Sequence, residues 1–162
     1  MFRDDDDVDD DRSSTSTQPQ QVLSSQLNEA LIEAVCEGSI LKVQSLLDQH
    51  ADIHTRTGYT RATPLHLAAL HGHHQCIELL LDRHVDINAR SWFSYIPLHL
   101  ASMSGQHQCI EILLDRHADI NARSGCSSTP LHLASFYGFC ECIELLIDHG
   151  ADKSIINVRL VS

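Results

Sequence analysis

The sequence has no apolar run that approaches the roughly 20 residues of a membrane span. Its first residues are acidic, whereas a secretory signal peptide begins with basic residues. A reducing compartment suits its six cysteines. We therefore expect a soluble, intracellular protein of the cytoplasm, the nucleus or both, with no membrane partner.

Positive charge is also scarce, because 11 Lys and Arg stand against 22 Asp and Glu and give a formal net charge of -11. Seven of the first eleven residues are Asp, but the chain after residue 12 still carries a net charge of -6. A domain with this charge repels phosphate backbones, which argues against nucleic acid as the main partner.

Motifs of catalysis are missing as well. The sequence contains no nucleophile elbow, phosphate-binding loop, kinase signature or HExxH motif. Glu78, Glu111 and Glu144 recur at one helical position, which indicates a solvated outer face. We therefore expect no enzyme activity, no catalytic residues and no cofactor.

What the sequence does contain is a repeat with a period of 33 residues. The block Pro-Leu-His-Leu-Ala occurs at residues 64–68, 97–101 and 130–134. A second block, Cys-Ile-Glu followed by two aliphatic residues, keeps the same period at residues 76–80, 109–113 and 142–146. A fixed period in this range predicts a stack of identical supersecondary units that bury their apolar faces against one another.

Each repeat contains signals for two helices. Thr63 and Pro64 form a strong helix start, as a capping hydroxyl and a proline at the first helical position. Gly72 ends this short helix after about two turns. A longer apolar pattern follows it, and Asp86 begins an extended connection to the next proline. The unit is therefore a short helix, a tight turn, a longer helix and a protruding loop.

These residues resemble the ankyrin repeat family in Thr-Pro-Leu-His-Leu-Ala, the inter-helix Gly, Leu-Leu-Leu-Asp and the Ala-Asp-Ile-Asn-Ala exit. A weaker first repeat extends the resemblance to about residues 27–157. The resemblance implies an all-α solenoid of about four helix-turn-helix repeats. We place the four repeats at residues 22–57, 58–91, 92–124 and 125–162, and the first of them is a degenerate N-terminal cap. We expect the acidic and Ser/Thr/Gln-rich tail at residues 1–21 to be disordered.

The sequence departs from the family pattern at several turns. His50, His84 and His117 stand where a left-handed Gly is usual, and only Gly150 keeps it. Each such histidine costs on the order of 1 kcal/mol if the site is left-handed. The threonine before the proline is Ile96 in the third repeat, which removes one side-chain cap.

The chain has twelve histidines, and those at and around the first inter-helix turn allow an alternative function. His71, His73, His74 and Cys76 could form a regulatory site for a metal or a small molecule. The resemblance instead gives the repeated histidine of Thr-Pro-Leu-His a structural hydrogen-bonding role. The repeated cysteines of the second helices lie on successive layers, too far apart for disulfides, and are expected to be buried free thiols.

The resemblance also implies where a protein partner binds, because ankyrin-like proteins use their concave face, the loop tips and the positions before the inter-helix Gly. Six of the eight aromatic residues occupy such positions, and arginines, including Arg56, flank the loops and suit an acidic or phosphorylated partner. Alternatively, Trp92 and Tyr95 fold back over the adjacent loop. The predicted binding residues are Tyr59, Arg61, Leu70, His71, Arg90, Trp92, Phe93, Tyr95, Met103, Ser104, Arg123, Cys126, Phe136 and Tyr137.

Two further expectations concern the exit loops and the C-terminal repeat. Asn88 and Asn121 each follow Asp-Ile and resemble sites in ankyrin repeats that an asparaginyl hydroxylase modifies. An apolar end surface would favour self-association, and its candidate residues are Ile143, Leu146, Ile147, Ile155, Ile156 and Val158.

Overall fold

The computed structural model describes residues 18–154, in which eight α-helices and short 3-10 turns alternate with loops and no strand occurs. One 3-10 turn is Trp92–Ser94, and residues 153–154 also have 3-10 geometry. The helices are α1 (Pro19–Glu37), α2 (Ile40–Asp48), α3 (Pro64–His71), α4 (His74–Asp82), α5 (Pro97–Met103), α6 (His107–Asp115), α7 (Pro130–Tyr137) and α8 (Cys140–Asp148).

The helices form four consecutive pairs that stack in two layers. Within each pair the first helix packs against the second, as α3 does against α4. Between pairs, the first helices α1, α3, α5 and α7 pack on one another in order, and the second helices do the same. The predicted all-α solenoid of helix-turn-helix repeats is confirmed.

Small and aliphatic residues fill the space between the layers. Ala68, Ala101 and Ala134 are completely buried and allow neighbouring first helices to approach closely. Cys76, Cys109 and Cys142 are buried free thiols, as predicted. Their burial raises the pKa of each thiol, that of Cys109 to about 11, so these cysteines act as small apolar residues.

The starts of α3, α5 and α7 are each held by the histidine of the repeated block, and at α7 the Thr129 hydroxyl also accepts the His132 N–H at 3.4 Å. The backbone N–H of Thr63 donates to His66 Nδ1 at 3.2 Å, and its hydroxyl oxygen lies 2.8 Å from the same nitrogen. Ile96 keeps the backbone bond to His99 Nδ1, at 3.2 Å, and has no hydroxyl to add. Ile96 therefore lacks the contact that the Thr63 hydroxyl makes with the histidine ring.

The left-handed residues predicted at the ends of the second helices are also present. His50, His84 and His117 have φ values of 67°, 60° and 67°, and Gly150 has 92°. The three histidines therefore hold a backbone conformation that glycine adopts at lower free energy.

Side chains of each repeat cover the inter-helix glycine of the repeat before it. His73 lies over Gly38, and Phe139 lies over Gly105, where a Cβ atom would come within 2.6 Å of the ring. His73 Nε2 also lies 2.9 Å from the carbonyl oxygen of Cys36. These contacts fix the spacing between neighbouring turns.

Two predictions about the ends of the chain need correction. The tail predicted at 1–21 reaches too far, because α1 begins at Pro19, where proline at the first position and helix-forming glutamines favour a helix. Residues 1–17 lie outside the described part of the chain. Leu146 is completely buried and Ile143 and Ile147 are half-buried, so Leu146 cannot belong to an apolar end surface.

The rest of that predicted end surface, at residues 155, 156 and 158, lies outside the described residues, and self-association stays a prediction. Among the helices of residues 18–154, none combines the length and the apolar character that crossing a membrane requires.

Candidate protein-binding surface

The loops that precede α3, α5 and α7, at residues 53–63, 87–96 and 120–129, form one continuous surface, here named the loop edge. The backbone N–H of Trp92 donates to the carbonyl oxygen of Thr60 at 2.8 Å, and that of Gly125 donates to Phe93 at 2.6 Å. A Cβ atom on Gly125 would lie 3.1 Å from that oxygen of Phe93, a tight contact that a larger residue could make only if the neighbouring loop shifted slightly.

Buried histidines hold the loop edge onto the helices. His66 Nε2 lies 2.9 Å from the carbonyl oxygen of Tyr95, and His99 Nε2 lies 3.0 Å from that of Ser128. Because Nδ1 of each ring accepts a backbone N–H, Nε2 carries the proton and donates to the carbonyl. Burial lowers the pKa of both rings, that of His99 to about 4, so both remain neutral at physiological pH.

Three arginines at equivalent positions connect the loops through their backbone. Arg56 Nη1 donates to the carbonyl oxygen of Arg90 at 2.8 Å, and Arg90 Nη1 donates to that of Arg123 at 2.9 Å. Arg56 also donates to the carbonyl oxygen of Arg61 at 3.0 Å. A guanidinium has five N–H donors, so these bonds leave donors for an external acceptor. Arg90, predicted as a binding residue, therefore has a structural role as well.

Tyr59, Trp92 and Phe93 form an exposed group on the loop edge, here named the aromatic cluster. Their side chains are 88%, 53% and 61% exposed. The rings of Tyr59 and Trp92 stack across two neighbouring loops with centroids 6.3 Å apart, and Phe93 packs edge-on against Trp92 at 6.2 Å. Tyr95 is separate from them, because it is half-buried and its ring lies 5.5 Å from that of His99.

The backbone that carries the cluster is strained. Phe93 has φ 61° and ψ 17°, and Ser94 follows with φ 58°. A left-handed conformation costs a bulky residue roughly 1–2 kcal/mol and is found where the surrounding structure enforces it, often at functional sites.

A second exposed aromatic group lies at the other end of the first helices. Phe136 is 82% exposed, and its ring contacts that of Tyr137 edge-on at 5.1 Å. Tyr137 in turn stacks on Phe139 at 6.3 Å. An eight-residue helix such as α7 is about 12 Å long, so this group and the aromatic cluster are separated along the helix direction.

The remaining predicted residues divide between these two ends of the first helices. At the turn end, His71 is exposed, whereas Leu70, Met103 and Ser104 are half-buried. Three more residues are exposed on the loop edge, namely Arg61, Arg123 and Cys126. The structure thus separates the predicted binding residues into a loop group and a turn group.

The side chains of the alternative metal site do not converge. The rings of His71 and His73 stack at 6.0 Å, but His73 Nε2 is occupied by the carbonyl of Cys36 and Cys76 is buried in the core. Within residues 18–154, no three His, Cys, Asp or Glu side chains are grouped so that they could hold a metal ion. The predicted regulatory metal site at His71–Cys76 has no support in this geometry.

The predicted hydroxylation sites connect neighbouring repeats. Asn88 Oδ1 accepts the backbone N–H of Asp119 at 2.9 Å, and Asn121 Oδ1 accepts that of Asp152 at 3.0 Å. Hydroxylation of either asparagine stays a prediction, which mass spectrometry of the cellular protein would test. An unmodified mass at both positions would contradict it.

A comparison with curated proteins gives no match for this chain. The family model for ankyrin repeats, which describes three copies, matches residues 31–124 and 93–157 and so spans most of the 162 residues. This match and the four stacked helix pairs show that the chain belongs to the ankyrin repeat family.

Proposed function

We propose that this chain is a non-catalytic module that binds a protein partner through its loop edge and the adjoining concave face. Ankyrin repeats are in general protein–protein interaction modules. The chain would act as an adaptor, scaffold or inhibitor that holds, masks or recruits the partner. Its aromatic cluster would be the centre of the contact.

One observation carries this proposal: three exposed aromatic rings pack against one another across two neighbouring loops. Tyr59, Trp92 and Phe93 are each at least half exposed although they are large apolar groups. Exposed aromatic side chains of this kind are enriched at binding hot spots, where burial by a partner stabilises the complex. The left-handed backbone at Phe93 adds a free-energy cost of the kind that is often found at functional sites.

The charge beside the cluster indicates the chemistry of the partner. Arg56, Arg61, Arg90 and Arg123 all lie on the loop edge, with Arg90 two residues from Trp92. Guanidinium groups bind carboxylates and phosphates through paired hydrogen bonds. We therefore propose a partner segment that places an apolar side chain on the cluster and acidic or phosphorylated residues beside it.

Affinity capture from a cell lysate tests the proposal, with the wild type compared with Trp92→Ser/Phe93→Ser. Leu41→Ser is a matched control, because Leu41 is 77% exposed on α2, away from the loop edge. Circular dichroism must show that all three proteins are folded. A protein captured by the wild type and the control but not by the double variant would support the proposal. Identical captures by all three would contradict it.

We also propose that the chain works in the cytoplasm or nucleus, because the cysteines among residues 18–154 are all free thiols. A fluorescent fusion found in the secretory pathway would contradict this location.

A further inference from the structure

Neighbouring loops of the loop edge are joined by two hydrogen bonds that recur with the repeat. In the first bond, an arginine side chain donates to the backbone carbonyl of the next arginine, as Arg90 does to Arg123 at 2.9 Å. In the second, a backbone N–H donates to a carbonyl of the loop before it, as Gly125 does to Phe93 at 2.6 Å. The first and second loops are joined in the same way. The second and third loops thus each turn one carbonyl and one N–H towards the loop that precedes them.

The first loop has no loop before it, so its two equivalent groups lack these bonds. By the repeat, they are the carbonyl of Arg56 and the N–H of Gly58. Within residues 18–154, nothing donates to that carbonyl or accepts that N–H. The guanidinium of Arg56 does not compete for them, because it donates to Arg61 in its own loop and to Arg90 in the next.

An open groove of about 720 Å³ lies in front of these two groups. One wall is formed by Arg56, Thr57 and Gly58 of the first loop, and the other by residues of α1 that include Gln21 and Ser25. α1 has 19 residues against the eight of α3 and α7, and its additional first turns form this second wall. The groove therefore takes the place that a preceding loop would have.

The carboxylates at this groove lack the arginine that their counterparts have. Each arginine of the repeated series lies near an aspartate of the following repeat, in the pairs Arg56–Asp86, Arg90–Asp119 and Arg123–Asp152. The aspartate of the same series at the groove is Asp52, whose N–H donates to Asn28 Oδ1 in the groove wall at 2.7 Å. Residues 18–51 contain no arginine to accompany it, and Glu29 adds a carboxylate to the wall. The charge at the groove therefore suits a guanidinium group from another molecule.

We propose that this groove binds an extended, arginine-containing segment of a protein partner. The arginine of the segment donates to the carbonyl of Arg56 and lies beside Asp52 and Glu29, as the loop arginines do in their own repeats. A backbone carbonyl further along the segment accepts the N–H of Gly58, so that the segment continues the hydrogen bonds of the loop edge. The site does not involve the aromatic cluster. It rests on the proposed function in one respect, which is that the partner is a protein.

The probe is a synthetic peptide with the sequence of residues 120–127 and the change Cys126→Ser, because this third loop contains the arginine and small residues at the tip. The control peptide carries Arg123→Gln in addition. Each peptide is added to the full-length, isotope-labelled protein, and the amide signal of Gly58 is followed by NMR. We expect this signal to shift to saturation with the arginine peptide. The dissociation constant should be about fivefold higher for the glutamine peptide, because the charge-assisted hydrogen bond is lost.

Two variants of the protein locate the contact, with fluorescence anisotropy of the labelled arginine peptide as the measurement. Gly58→Leu should raise the dissociation constant about tenfold or more, because the side chain fills the groove, and the fold should be kept because a Cβ atom there meets no atom within 4 Å. Glu29→Gln/Asp52→Asn should raise the constant about fivefold at low salt. Glu78→Gln/Glu111→Gln is its matched control, which removes the same charge from exposed positions of the second helices and should leave the constant unchanged.

A Gly58 signal that does not move at about 2 mM peptide would overturn the inference, as would wild-type affinity in Gly58→Leu or in Glu29→Gln/Asp52→Asn. A signal that moves with protein concentration when no peptide is present would overturn it in favour of a second copy of the chain. Slow hydrogen exchange at Gly58 without peptide would show that its N–H is already bonded within the chain, with the same consequence. Because the peptide does not test the aromatic cluster, its failure leaves the proposed function intact.

Discussion

The second and third loops of the loop edge, residues 91–95 and 124–128, share one set of backbone contacts. In each, the first residue donates its N–H to the last residue's carbonyl at 2.9 Å, as Ser91 does to Tyr95 and Ser124 to Ser128. A buried histidine contacts that same carbonyl in both loops. Ser94 and Ser127 have matching φ values of 58° and 60°.

The side chains at equivalent positions are nevertheless very different. Trp92 and Phe93 in the second loop correspond to Gly125 and Cys126 in the third. Phe93 is left-handed, whereas Cys126 has no positive φ. Because the third loop forms the shared contacts with small residues, the aromatic rings are not needed to build a loop of this kind. The comparison therefore assigns the histidines to the fold and leaves the aromatic cluster available for the binding role that we propose.

Replacing His99, one of the two buried histidines that contact these loops, should lower the free energy of unfolding more than any other change considered below. In His99→Ala, the buried Ile96 N–H and the Ser128 carbonyl lose their partners and a cavity forms, so we expect the free energy of unfolding to fall by about 3–4 kcal/mol. His132→Ala, at the same position of the next repeat, should cost about half as much because His132 is only half-buried. Urea unfolding measures both, and equal losses would contradict this account of burial.

Replacing Trp92 and Phe93, which differ from their counterparts in the third loop, should affect partner binding instead. For the partner found by capture, Trp92→Ser/Phe93→Ser should raise the dissociation constant at least a hundredfold, or about 3 kcal/mol, because both rings lose their buried contacts. Calorimetry with the purified partner gives the constant. A change of less than threefold, with Leu41→Ser behaving as wild type, would move the contact away from the aromatic cluster.

Lowering the pH should reduce the contribution of the buried histidines to the free energy of unfolding. As the pH falls from about 6.5 to about 4, the unfolded chain takes up a proton at residue 99 before the folded chain does, because burial lowers the folded pKa of His99 to about 4. The contribution of His99 is complete above pH 6.5 and falls by about 3 kcal/mol across this range. Urea unfolding at several pH values should show this loss in the wild type, and a smaller loss in His99→Ala.

The smallest effect is expected at His84, which lies outside the two loops and tests the free-energy cost of a left-handed residue. His84 has φ 60°, so His84→Gly should raise the free energy of unfolding by up to about 1 kcal/mol. Part of the gain is offset because glycine has more freedom in the unfolded chain. A lower melting temperature for this variant would show that the His84 side chain makes stabilising contacts that outweigh its strain.

Local sequence signals were sufficient for the six helices α3 to α8 and their order, whereas the start of α1 at Pro19 was missed. Thr63, Pro64 and Gly72 each act within their own repeat, as a cap, a helix start and a helix stop, and the 33-residue period supplies the stacking. The left-handed histidines could be predicted for the same reason, since the family pattern places glycine there.

Contacts between repeats could not be predicted in this way. The positions of Phe139 over Gly105 and of Arg90 against the carbonyl of Arg123 depend on the distance between stacked units. For the same reason the sequence could not show that Tyr95 is half-buried whereas Trp92, three residues earlier, is exposed. The burial of Leu146 depends likewise on how α8 packs against its neighbours.

The most direct test of the central claim needs no partner. The free energy of unfolding of Trp92→Ser/Phe93→Ser is measured in urea by circular dichroism beside that of the wild type. If the aromatic cluster serves binding and not the fold, the two values should agree within about 1 kcal/mol, the size of an exposed aromatic contact. A loss of more than about 2 kcal/mol would contradict the claim, because the rings would then be part of what holds the loop edge together.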